Sequence, residues 1–297
     1  MRSVFIAVGL LFCMAVSPAQ AAGTRIALVI GNSNYTAITR LKNPARDARL
    51  IQRTLRDKLG FEVIYAENAG KAQLERAIAR YGARLATAGA GAVAVFYYAG
   101  HGVQSGGENF LLPVDITLDR EAELVLRSVR AEDVLRQMQG AKASAKIVIL
   151  DACRDNPFGA RFRMEGGGGL GDIALGNSEF IIGYAATSGL SAEDGDGRNS
   201  PYAIALARHL ATPNQEISEI LRMVRSDVVA STKGRQLPEA RTTLLRALYL
   251  NGVPPAPAPV VAIRAARRET APPAGTRQTG AGVASSGASI RRIRSAH

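Results

Sequence analysis

Short, largely apolar runs alternate along the chain with longer segments in which apolar residues recur every three or four positions. RIALVIG (25–31), FEVIYAE (61–67), AVAVFYYAG (92–100), KIVIL (146–150) and EFIIGYAA (179–186) are of the first kind. Continuous β-branched and aromatic runs of this length read as strands buried on both faces of a parallel sheet. Helical spacing marks NPARDARLIQRTLRDKLG (43–60), KAQLERAIARYGARLATAG (71–89), AEDVLRQMQG (131–140), SPYAIALARHLA (200–211) and EISEILRMVRSDVVAS (216–231). In the first of these, Asn43 stands at the cap, Pro44 in the first turn and Gly60 just past the end. GENFLLPVD (107–115) reads as half of a short hairpin, and residues 156–178, rich in glycine, as a long flexible loop. TTLLRALYL (242–250) is a sixth strand or a helix; its periodicity does not separate the two.

Strands alternating with helices predict an α/β fold: a mostly parallel, six-stranded sheet with helices on both faces, formed by one domain over residues 24–252. The flanks are different. Arg2 precedes a short apolar run and an Ala19-Gln20-Ala21 site, the pattern of a signal peptide over residues 1–21. The apolar run is shorter than the ~18 residues a membrane span needs. Export to the periplasm or beyond is the expectation, and an uncleaved anchor is the alternative. Residues 253–297 are dominated by proline, alanine, glycine and serine and carry seven arginines and one glutamate. They read as a disordered basic tail, either a solubilising linker or a segment that adheres to an anionic surface. That tail holds half of the formal net charge of +12. Residues 24–252 have 29 basic and 24 acidic residues, too even a balance to argue for nucleic acid.

Candidate chemistry sits at strand ends, which in open α/β sheets form the ligand-binding edge. YYAGHG places His101 at the tip of the third strand, and ILDAC places Cys153 at the tip of the fourth. Each has a plain structural reading alone, the thiol as a small buried hydrophobe and the histidine as part of a turn. Together they suggest a base beside a nucleophile. The other histidines are His209, in a helical segment, and His297, at the end of the tail. Loss of the leader would leave Cys153 as the single cysteine, unable to form an internal disulfide. The N–H groups of Gly102 and Cys153 are candidates for an oxyanion site. GGGGLG (166–171) lacks the Gly-Lys-Ser/Thr of a phosphate loop, and GNSNY lacks the glycines of a dinucleotide fingerprint.

RIALVIGNSNY, LKNPARDA, FYYAGHG, GENFLLPVD, ILDACRDNP and GYAATSGLSAEDGDGRNSPYAIAL together resemble the caspase-like cysteine peptidases, and most of all the bacterial metacaspase-like (orthocaspase) members. The resemblance spans nearly all of residues 25–210. It implies a caspase-like three-layer sandwich and peptide hydrolysis by a dyad of Cys153 and His101, with Gly102 in the oxyanion site. The alternative is a non-catalytic module of the same fold that binds peptides or partners. Caspases carry glutamine two residues before the cysteine and hold an aspartate side chain with arginines; this chain has Asp151 there. Asp47 stands where metacaspases have a pocket acid, and Asp194, with Glu193 and Asp196 beside it, falls where caspases keep an arginine. Acids at Asp47, Asp151 and Asp194 suit a basic substrate side chain, so cleavage after Arg or Lys is expected. Arg161 and Arg163, in the loop after the cysteine, are candidate self-processing sites. EDGDGRN invites a calcium-activation site, as in several metacaspases, although it lacks the spacing of an EF-hand; no cofactor is expected to be required and no metal ligands are assigned. The expected partners are polypeptide substrates. Natural substrate and oligomeric state are not legible.

Overall fold

The computed structural model describes residues 23–153, 157–158, 170–173, 179–187, 192–193, 195 and 197–252. Contacts divide the chain into residues 1–255 and 256–297, and every described residue belongs to the first unit.

The main sheet runs in the order β2-β1-β3-β6-β7-β8. Its strands are β1 (Arg25–Gly31), β2 (Glu62–Glu67), β3 (Val93–Ser105), β6 (Ala145–Cys153), β7 (Phe180–Tyr184) and β8 (Glu239–Thr242). All neighbours pair in parallel except β7 and β8. Two short strands, β4 (Glu108–Leu111) and β5 (Val129–Arg130), extend the end of β3 as an antiparallel flap.

The central strands are apolar throughout because both faces are covered. Helices α2 (Lys71–Ala86) and α4 (Ala131–Gly140) bring Leu74, Ile78, Tyr81, Val134 and Met138 onto Leu28, Phe96 and Val148. On the other face, α1 (Pro44–Arg53), α5 (Pro201–Leu210) and α6 (Ile217–Ser231) bring Ile51, Leu206, Ile220 and Val224 onto Val29, Tyr97 and Ile149. A short helix, α3 (Leu124–Arg127), precedes β5. The fold is therefore the α/β sandwich that the alternation predicts.

The differences have local causes. β3 does not stop at Gly100. It runs on to Ser105, because after leaving the parallel sheet it finds a new partner in β4, from Gly102 opposite Leu111 to Ser105 opposite Glu108. His101 is thus at a change of partner, not at a strand end. The sixth strand is Glu239–Thr242, one step earlier than expected. Of TTLLRALYL only Thr242 belongs to that strand; residues 243–250 are neither strand nor helix and make one isolated bridge, Tyr249 to Glu216. Asn43 precedes α1 but makes no side-chain cap: its amide serves Gly197 O at 3.4 Å and the Arg46 guanidinium. Ser33 takes over part of that role, its Oγ accepting from Ala45 N at 3.0 Å. The glycine-rich loop after β6 is packed where it is described. Phe158, Leu170, Gly171 and Ile173 are buried, Gly171 N donates to Asn109 Oδ1 (2.6 Å), and Ile173 N donates to the Tyr184 hydroxyl (3.1 Å).

One contact sets the position of α1. A Cβ on Gly31 would lie 2.5 Å from Ala48 Cβ and 2.6 Å from Pro44 O. Only hydrogen at this position lets the first turn of α1 lie against the end of β1. Gly31→Ala is expected to destabilise the domain by about 1–3 kcal/mol through overpacking, read as a lowered midpoint in urea denaturation. An unchanged midpoint would mean that α1 is free to shift.

Candidate active site

The parallel register of β3 and β6 pairs Ala99 with Asp151, Gly100 with Ala152 and His101 with Cys153. Neighbouring Cα atoms across a ladder lie about 5 Å apart, so the histidine and the cysteine are side by side. Cys153 is the last residue of β6.

His101 is buried and held at several points. Its Nε2 lies 2.8 Å from the carbonyl oxygen of Thr39. A carbonyl only accepts, so Nε2 carries the proton and Nδ1 the lone pair. A neutral imidazole in this tautomer has its basic nitrogen on Nδ1. The ring also packs on Tyr35, centroids 4.6 Å apart and planes at 53°. The orienting Thr39 carbonyl is a group that sequence reasoning missed. No side-chain signal marks a backbone oxygen.

Gly102 follows. Leu112 N donates to His101 O at 3.1 Å, which makes His101 and Leu112 a hydrogen-bonded pair of the antiparallel ladder and Gly102–Leu111 a non-hydrogen-bonded one. The Gly102 N–H therefore points away from β4, to the edge of β3 that β6 flanks. That is the side on which the expected oxyanion donors, Gly102 and Cys153, would have to converge. Leu170 closes over Gly102, where a Cβ would meet its side chain at 2.7 Å.

Two of the three expected pocket acids come together. Asp47, in the first turn of α1, is 2% exposed, and Asp151, near the end of β6, is 8% exposed. Ser200 joins them: its N–H donates to Asp47 Oδ1 (3.0 Å) and its hydroxyl donates to Asp151 Oδ2 (3.2 Å). Asn199 Nδ2 also reaches Asp47 (2.8 Å), and the Tyr97 hydroxyl reaches Asp151 (2.9 Å). Burial, then the Asp151 charge, holds the Tyr97 phenol well above its ordinary range, so it stays a donor. The two carboxylates line one small cavity with Leu41, Pro44, Gly100, Ala192, Glu193 and Ser200. Glu193 is engaged by Arg235 at 2.6 Å. Asp194, Asp196, Arg161 and Arg163 lie outside the described residues. Among the described residues, no three His, Cys, Asp or Glu side chains are gathered as a metal site.

Ser200, within the segment read as helical, caps α5 by accepting from Ala203 N at 3.0 Å. Its second task, bridging two acids from distant elements, has no sequence signal. Tyr97 and Tyr98 follow from strand alternation. Side chains of successive strand residues point to opposite faces, so one tyrosine serves the acid cavity while the other turns to the opposite face, its hydroxyl on His101 O at 2.6 Å.

His101 in register with Cys153, on a mostly parallel sheet between two helical layers, is the backbone arrangement that the resemblance implies. A family model of the caspase domain matches residues 24–249, and the chain belongs to that family. It is similar to mucosa-associated lymphoid tissue lymphoma translocation protein 1 of Homo sapiens and to its Mus musculus homolog. Each is 26% identical over 225 residues, which cover 74% of this chain and 26% of the relative. The chain thus spans about a quarter of the length of these curated relatives.

Ser200→Ala removes the hydroxyl to Asp151 and the cap of α5 while keeping the N–H to Asp47. The expected loss is about 1–2 kcal/mol of stability, measured by thermal unfolding. A loss within error would show that Ser200 does not hold the acid pair.

Proposed function

We propose that the chain is a cysteine endopeptidase that cleaves after arginine or lysine. The observation that supports this most is the register pairing His101 with Cys153, taken with the Thr39 carbonyl on Nε2. In this mechanism His101 Nδ1 takes the thiol proton of Cys153, and the thiolate attacks the scissile carbonyl carbon. The oxyanion accepts from the N–H groups of Gly102 and Cys153. Collapse breaks the C–N bond, and the imidazolium returns the proton to the leaving amine. Water, deprotonated by the same ring, then hydrolyses the thioester and restores the thiol.

The choice of a basic residue is supported by Asp47 and Asp151 on one cavity at the carboxyl edge of the sheet. A guanidinium or ammonium between buried carboxylates forms charge-assisted hydrogen bonds, each worth roughly 1.5–3 kcal/mol. The cavity as it stands has room for about one water molecule at most. A long basic side chain therefore enters as Leu41, Ala192 or Glu193 moves aside.

Purified protein with fluorogenic peptides carrying Arg, Lys or Asp at the cleaved position tests this reading. Arg and Lys peptides should be cut and Asp peptides spared, and Cys153→Ala and His101→Ala should each abolish turnover while the circular dichroism stays native. Asp151→Asn should lower kcat/KM for Arg peptides roughly 30- to 150-fold. Turnover surviving in Cys153→Ala, or a preference for Asp, would overturn it.

Two further parts of the proposal concern processing. We infer removal of the leader after Ala21 and function outside the cytoplasm. The described residues contain no helix long and apolar enough to cross a membrane. We also infer self-cleavage after Arg161 or Arg163. β6 precedes these arginines and β7 and β8 follow them in the same sheet, so the halves of a nicked chain should stay together until denatured. Intact-mass spectra of wild type and Cys153→Ala decide this. Fragments ending at Arg161 or Arg163 in the wild type alone are expected; an intact wild type that still cleaves peptides would end the self-cleavage proposal.

A further inference from the structure

His101 and Leu112 face each other across the β3–β4 hairpin, yet only one of the two ladder bonds between them is direct. Leu112 N donates to His101 O at 3.1 Å. The reciprocal bond, from His101 N to Leu112 O, is replaced by a hydroxyl. The Tyr35 phenol accepts from His101 N at 2.8 Å and donates toward Leu112 O at 3.3 Å. Tyr35 follows β1, far from this hairpin in sequence, and is 1% exposed.

A second phenol completes the arrangement. Tyr98 donates to His101 O at 2.6 Å, and its oxygen also lies 3.2 Å from Leu112 O. Asn32 Nδ2 reaches the same Leu112 carbonyl at 3.1 Å. Burial, and then the neighbouring Tyr35, hold the Tyr98 phenol well above its ordinary range, so it stays protonated. Gly100 is the residue that makes room. Its φ is +154°, and a Cβ there would lie 2.7 Å from the Tyr35 oxygen and 2.8 Å from the Tyr98 oxygen. The tyrosine of GNSNY and the second tyrosine and first glycine of YYAGHG thus serve one assembly around the peptide of His101.

We propose that Tyr35 is a positioning residue for the base: its hydroxyl, wedged into the hairpin ladder, fixes the His101 backbone and, through ring contact, the angle at which Nε2 meets Thr39 and Nδ1 turns to Cys153. This rests on the peptidase reading for its kinetic consequence but not for its structural one. A plain ladder bond would draw His101 N directly onto Leu112 O, as in the rungs further along the hairpin. The inserted hydroxyl takes the place of the direct bond on the His101 N side of the rung, while Leu112 N keeps the His101 carbonyl, so the histidine peptide is held from both sides. The Tyr35 ring lies against the imidazole at the same time. One side chain therefore sets both the main chain and the ring of the base.

Tyr35→Phe keeps the ring and removes the wedge. With an Arg peptide, kcat is expected to fall about tenfold with KM within about twofold, the scale on which small displacements of catalytic groups act. Histidine-selective ¹⁵N NMR of the full chain supplies the reading that a merely structural role would not move. The protein has three histidines, so the His101 ring is assigned by loss of its signals in His101→Ala. Wild type should show a single Nε2–H tautomer with a slowly exchanging proton. Tyr35→Phe should show mixed tautomers or rapid exchange at the same ring. Wild-type kcat with an unchanged His101 signal would overturn the proposal, whatever happens to the melting temperature. If Tyr35→Phe does not fold, Tyr98→Phe, which leaves Leu112 N on the His101 carbonyl, is judged by the same two readings. If the wild type cleaves no peptide, the peptidase reading fails, and the NMR signals alone decide whether the wedge orients the ring.

Discussion

The pairing of β3 with β6 is the constraint on which the rest depends. A one-residue slip in a parallel ladder turns every side chain of a strand to the other face. Here such a slip would separate His101 from Cys153 and at the same time remove Asp151 from the Tyr97 phenol. The register is secured by burial on both faces, with Phe96, Tyr98 and Val148 under α2 and α4, and Tyr97 and Ile149 under α1, α5 and α6. The apolar core therefore bears directly on the proposed chemistry: it fixes the alignment of the two strands that carry the proposed base and nucleophile.

Around that register the site is supported from elements distant in the chain. The segment between β1 and α1 supplies Tyr35, the Thr39 carbonyl and Leu41, and α1 then supplies Asp47. The start of α5 supplies Ser200, which ties Asp47 to Asp151. The neighbouring tyrosines of β3 divide the work by facing opposite ways, Tyr97 to the acid pair and Tyr98 to the histidine peptide. A buried carboxylate is costly unless its oxygens are satisfied. The donors from Ser200, Asn199 and Tyr97 account for how two acids sit close together at one edge of the core.

Much of this was legible beforehand because it depends on local pattern. Apolar runs marked the parallel strands, period-3.6 segments marked the helices, and the position of His101 near that of Cys153 on neighbouring strands was marked too, although β3 continues past His101 to Ser105. The end of the sheet was less legible: TTLLRALYL left strand and helix open, but the edge strand is the polar EART, which shares only Thr242 with it and is held by pairing with β7. Such a strand is recognised by its neighbour, not by its own pattern. The Thr39 carbonyl, the Ser200 bridge and the Tyr35 wedge are contacts between segments far apart in sequence, and each of them uses a backbone atom. No residue type announces them.

In the proposed mechanism His101 activates Cys153 at a site shaped for a basic side chain. A peptidyl-arginine acyloxymethyl ketone is the sharpest probe of that mechanism, because it forms a covalent bond only with an activated thiol it can reach. Beyond residue 22 the chain has one cysteine, so intact-mass spectrometry reads the reaction without ambiguity. One adduct per chain on Cys153 is expected, formed much faster than with the aspartyl analogue and strongly slowed in His101→Ala. Equal labelling by the arginyl and aspartyl probes, or labelling that His101→Ala leaves unchanged, would contradict it.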